Sequence, residues 1–124
     1  MEREQFIKLI TPALKEKGFK KIRSTWYKDG AECIAVFNVQ ASIYGPAYYI
    51  NIGIYWKALG SLSNPKIYDC HLASGLLIDQ GKEINVVYEA INWFEGNSTL
   101  DGIRETIKTN RNIKKELYGL INAA

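Results

Sequence analysis

Cys70 beside His71 is the adjacency in this chain that most invites nucleophilic chemistry, a thiol next to an imidazole able to take its proton. Neighbours on an extended strand point to opposite faces, however, and meet only across a bulge. A buried small cysteine and a histidine bonded to backbone is the plainer expectation. His71 is the sole histidine, and with Cys33 and Cys70 it gives three soft ligands at most, which argues against a structural zinc site. Gly53, Gly60 and Gly75 are isolated, and no phosphate-cradling glycine motif follows a strand, so no nucleotide cofactor is expected. The acids Asp29, Glu32, Asp69 and Asp79 fall near strand ends, where solvated turn acids are ordinary. No catalytic residue, metal or cofactor is assigned on these grounds.

A second constellation is suited to binding. Between Phe19 and Trp56 the apolar pattern has a period of two, with β-branched and aromatic residues and turn signals at Asp29-Gly30 and Gly45-Pro46. Three strands in a meander follow. In the second, Cys33, Ala35, Phe37, Val39 and Ala41 share one face, and Ile34, Val36, Asn38, Gln40 and Ser42 share the other. In the third, Tyr48, Ile50, Ile52, Ile54 and Trp56 oppose Tyr49, Asn51, Gly53 and Tyr55. Asn38, Gln40, Tyr49, Asn51 and Tyr55 therefore lie side by side, with Arg23 and Tyr27 joining from the first strand. Amides and tyrosines on a rigid sheet offer hydrogen bonds and contact area together, which suits a protein interface. The same face could instead be solvated, or covered by the C-terminal helices with its amides bonded internally.

The elements that position these residues are an N-terminal helix, the sheet and further helices. Phe6, Leu9, Ile10 and Leu14 predict a helix over 2–17, closed by Gly18. Pro12 implies either a kink or a helix that begins with Thr11 as cap. Residues 58–66 predict a loop, and a fourth strand is expected over 67–78, interrupted near Ser74-Gly75. Beyond Gly81 the helical period returns in Ile84, Val87, Tyr88, Ile91 and Phe94. Ser98 with Asp101 predicts a capped helix with Leu100, Ile103 and Ile107 inward. Ile113, Leu117, Leu120 and Ile121 predict a last one. The expected architecture is one α+β domain over 1–124: a helix, an antiparallel sheet of about four strands in meander order, then two or three helices.

With 124 residues, 47% of them hydrophobic and 23% charged, the chain can bury a core without disulfide staples. The start, Met1 to Lys8, is charged and lacks a signal-type apolar run, so a cytoplasmic protein off the membrane is expected, with Cys33 and Cys70 as free thiols. The net charge of +3 divides as +5 over residues 1–28, −4 over 29–100 and +2 over 101–124. That is not the concentrated basic footprint of a nucleic-acid binder, and the run Lys15, Lys17, Lys20, Lys21 reads as a solvated helix end. An edge strand exposing Trp56 or Tyr68 would allow a symmetric dimer; oligomeric state stays open.

In order along the chain, Leu14-Lys15, Gly18-Phe19-Lys20, Trp26, Gln40-x-Ser42, Asn51-x-Gly53-Ile54 and Cys70-His71-Leu72 resemble the bacterial family called domain of unknown function 4304. Trp93-Phe94 before a Ser-capped helix extends the similarity. Where that family's pattern carries an arginine after the Cys-His pair, this chain has Ser74 and Gly75. The resemblance implies a helix, an antiparallel sheet and further helices, and brings no catalytic residues. Small proteins of this type often accompany polymorphic toxins as immunity proteins, so the resemblance implies a non-catalytic module that binds another protein, such as a toxin. The acidic middle segment would complement a basic partner. The alternative is a small-molecule-binding protein or enzyme with its site at Cys70 and His71.

Overall fold

The computed structural model describes residues 1–110 and 112–123. Helix α1 spans Arg3–Glu16 and buries Phe6, Ile10 and Leu14, a stripe at spacings of four, while Leu9 on its shoulder is largely exposed. The helix runs through Pro12 rather than starting at Thr11. Pro12 has no N–H for the Lys8 carbonyl, and the Thr11 hydroxyl donates to the Ile7 carbonyl at 2.6 Å. Gly18, at φ 92°, ends the helix: its N–H donates to the Lys15 carbonyl and that of Phe19 to the Leu14 carbonyl, both at 3.0 Å.

Five antiparallel strands follow in meander order: β1 Lys20–Ile22, β2 Thr25–Asp29, β3 Cys33–Ala41, β4 Tyr48–Trp56 and β5 Leu72–Leu76. The strand beyond expectation comes from a tight hairpin that pairs Ile22 with Thr25 across Arg23-Ser24. Arg23 takes the left-handed conformation there, φ 59°, without the glycine or asparagine that normally marks such a turn. Further along, Ile67–Asp69 is a 3₁₀ turn rather than strand. β5 then passes through Ser74-Gly75 uninterrupted, placing Gly75 opposite Asn51.

One sheet face carries the main core. Phe37, Ile52, Ile54 and Trp26 meet Phe6 and Ile10 of α1 and the apolar sides of α2 (Asn85–Asn97), α3 (Leu100–Thr106) and α4 (Lys115–Ala123). Trp26 packs edge-on against Phe37, ring centroids 5.8 Å apart. In α2 the inward residues are Val86, Val87, Ala90 and Phe94; Tyr88, expected inward, is exposed. Thr99, not Ser98, caps α3, its hydroxyl accepting from Gly102 N–H at 3.0 Å. Ile113 lies outside α4 and forms a β-bridge with Leu72, which lays residues 112–114 against the edge of β5.

The outer face is divided. Residues 57–71, with 3₁₀ turns at Lys57–Leu59 and Ile67–Asp69, cross one half of it and bury Tyr27, Ile34, Val36, Tyr55 and Cys70 in a second, smaller cluster. The cover is this loop, not the C-terminal helices. Of the two residues that an exposed edge strand could have offered to a dimer, Trp56 is buried and Tyr68 is 77% exposed. Cys33 and Cys70 are free thiols in different clusters on opposite faces.

The crossing needs Gly53. A β-carbon there would stand 2.7 Å from Cys70 Sγ and 2.9 Å from Cys70 Cβ, inside van der Waals contact. Gly53→Ala should lower stability by roughly 1–3 kcal/mol in urea unfolding, as overpacking of a well-filled site does. Gly45, with nothing within 4 Å of an added β-carbon, is the control: Gly45→Ala should change stability by less than about 0.5 kcal/mol.

Candidate functional site

The open half of the outer face is organised by register. Thr25 pairs with Asn38, Asn38 with Asn51, and Gln40 with Tyr49. The side chains form a bonded row. Asn51 Nδ2 donates to Gln40 Oε1 at 2.9 Å and to Asn38 Oδ1 at 3.3 Å, and Asn38 Nδ2 donates to Thr25 Oγ1 at 2.9 Å. Asn38 and Asn51 are half-buried, while Gln40 and Tyr49 are exposed. Mutual bonding holds the amide side chains in fixed orientations.

Of the residues expected on this face, Asn38, Gln40, Tyr49 and Asn51 are brought together. Tyr27 and Tyr55 are not available: they are 7% and 3% exposed beneath the crossing segment. Tyr55 has a structural task there, its hydroxyl accepting from Leu62 N–H at 3.1 Å and crowding the site of Gly60. Arg23 is exposed on the β1–β2 turn.

Three large apolar or aromatic residues that the alternation alone did not single out are exposed where the chain leaves these strands. Ile43 and Tyr44 project from the β3–β4 turn, 87% and 91% exposed, and Leu77 directly after β5 is 90% exposed. Leu76 pairs with Ile50, so Leu77 follows in line with Tyr49. The apolar run Leu76-Leu77-Ile78 carried the signal, since alternation must turn its middle member away from the core.

Cys70 and His71 are assembled as a clasp. His71 is 5% exposed; its N–H donates to the Ile54 carbonyl at 3.0 Å, and its Nδ1 accepts the backbone N–H of Trp56 at 3.0 Å. Its ring lies against Tyr55, centroids 4.8 Å apart. Cys70 Sγ donates instead to the Lys66 carbonyl at 3.5 Å. Burial, reinforced by Asp69 and opposed by Lys114, pushes the Cys70 thiol up to about 12. A thiol so protonated is a poor nucleophile at neutral pH. Burial, aided by Lys114, moves His71 below its ordinary 6.5, so the ring is held neutral with Nδ1 as acceptor. Burial likewise raises Cys33 to about 12.

The model of the family described as a domain of unknown function, DUF4304, matches residues 10–119, nearly the whole chain. This chain belongs to that family. No curated protein and no solved structure matches it. Within this DUF4304 domain, two of the motifs that resemble the family interlock. Gly53 receives Cys70, Ile54 pairs with Leu72, and His71 bonds both Ile54 and Trp56. The Gly18-Phe19 motif closes α1, and Gln40 joins the amide row. No helix among the described residues is long and apolar enough to cross a membrane.

The clasp has a measurable pH signature. Because the folded His71 binds its proton less readily than the unfolded one, its contribution is fully present above about pH 6.5 and is lost as the pH falls toward the folded value. Urea midpoints should therefore fall from pH 7.5 to 5.5. His71→Asn, which keeps an acceptor for Trp56 but cannot titrate, should flatten that slope while lowering stability overall. Both thiols should resist an aromatic disulfide reagent at pH 8 until the protein is unfolded, the reaction being followed by absorbance.

Proposed function

We propose that the protein is a non-catalytic module that binds another protein through the open half of its outer sheet face. The observation that carries this reading is the exposed Tyr49 beside a prebonded amide row, with Leu77 exposed in line with it past the end of β5 and Ile43 and Tyr44 exposed on the β3–β4 turn. Large exposed apolar groups rimmed by polar ones mark interaction sites, and tyrosine supplies area with a polar tip. Charge supports a basic or mixed partner: residues 29–100, which include β3 to β5, sum to −4. The role we assign to such a module is neutralisation of a toxin as its immunity protein, acting in the cytoplasm.

The full chain used as bait in a lysate of its host, at low and moderate salt, should retain one stoichiometric protein. In titration calorimetry Tyr49→Ala should weaken that partner about tenfold, and Gln40→Ala with Asn51→Ala further. Tyr88→Ala, exposed on α2, should leave the affinity unchanged. A partner whose toxicity the chain suppresses in cells assigns immunity. Retention of nothing, or an affinity indifferent to all three face substitutions, removes the reading.

A further inference from the structure

Among the described residues, the outer edge of β5 is occupied along its first part. Residues 112–114 lie along its first part: Ala73 N–H donates to the Asn112 carbonyl at 3.1 Å, Asn110 Nδ2 donates to the Ala73 carbonyl at 3.2 Å, and Leu72 bridges Ile113. These bonds show that the backbone groups of Ala73 point away from β4. With a period of two, those of Gly75 and Leu77 point the same way. Among the described residues nothing bonds to them. Asn110 meets the edge through its side chain at Ala73, and among the described residues no backbone bond reaches the edge beyond that point.

Beside this open edge, on the outer face, lies a cleft of about 360 Å³ lined by Asn51, Tyr68, Ala73, Gly75, Asn112 and Lys114, among others. Gly75 contributes no side chain, so a residue placed opposite it on an added strand could lie across β5 toward Asn51. Lys114 gives the cleft a positive charge, and among the described residues it has no ion-pair partner. Two positions along on the same face, Leu77 is 90% exposed with no cross-strand neighbour on its open side.

From this juxtaposition we infer that the open edge accepts an extended segment of a partner protein as a further antiparallel strand. The segment carries an acidic side chain for the cleft and an apolar one for Leu77. Main-chain bonds to Gly75 and Leu77 supply the docking, and the alternate side chains supply the selection. Because an antiparallel partner runs opposite to β5, the apolar residue precedes the acidic one by two positions. The chain's own residues 112–114 on the same edge show that it takes a strand in this sense. The inference deepens the binding-module reading and depends on it.

The test is a displayed library of random dodecapeptides panned on the full chain, with enriched peptides measured by fluorescence anisotropy. Enrichment of an apolar residue two positions before Asp or Glu is expected. Binding should weaken at least tenfold in Leu77→Asp and in Lys114→Glu, both at exposed positions, and on N-methylation of the peptide amides that face β5. In hydrogen exchange, the Gly75 and Leu77 amides should be fast in the free protein and slow in the complex, with Ala73 slow in both. No enrichment, enriched peptides indifferent to these changes, or Gly75 and Leu77 amides already protected in a dimer of the free protein would overturn the proposal. The two readings fail separately. A partner lost with Tyr49→Ala but not with Leu77→Asp keeps the module and removes the added strand.

Discussion

The close approach of Cys70 to Gly53 is the contact on which the architecture turns. β4 is an interior strand of the sheet, between β3 and β5, and its Gly53 leaves a gap that a β-carbon would close. Into that gap the end of the crossing segment settles, and His71 locks it with bonds to the backbone of Ile54 and Trp56. Once the clasp is made, the chain is aimed antiparallel to β4 and β5 forms with Leu72 opposite Ile54. The partition of the outer face follows. Tyr27 and Tyr55 go under the crossing, and the Asn38–Asn51 row stays outside it.

Physical chemistry accounts for the division between the two halves. The covered half is made of Ile34, Val36 and the two tyrosine rings, apolar area whose removal from water stabilises the fold. The open half is made of amides that would be costly to bury unless fully bonded. They are bonded to one another on one side and to solvent on the other. That arrangement leaves an internally bonded polar row, with the exposed Tyr49 beside it and the exposed Leu77 past the end of β5. The same clasp withdraws the chain's most reactive pair of side chains from solvent.

The two sheet edges are treated differently. β1 is short and presents Lys20 and Lys21, charged and exposed, which discourages pairing with another chain. Lys21 also lies 5.7 Å from the Trp26 ring centre, a cation over an aromatic face. β5 carries no charge along its length, and among the described residues its backbone is bonded by the chain's own 112–114 segment over its first residues alone.

The periodicities were sufficient for much of this. Spacing of four in Phe6, Ile10 and Leu14, alternation from Cys33 to Trp56, and helical repeats after Gly81 are local consequences of burying one face, so the α+β order and the main core could be read directly. The β1–β2 hairpin escaped because Arg23 adopts a left-handed turn on tertiary demand, with no residue type announcing it. Cys70 and His71 looked like chemistry because adjacency is visible in a sequence, and depth is not. Alternation likewise placed Tyr27, Asn51 and Tyr55 on one face but could not say which of them a loop would cover. Which face a side chain occupies is set by backbone geometry within a few residues. Whether that face meets water depends on contacts between residues far apart in the chain, such as Gly53 with Cys70, and only the folded structure decides those.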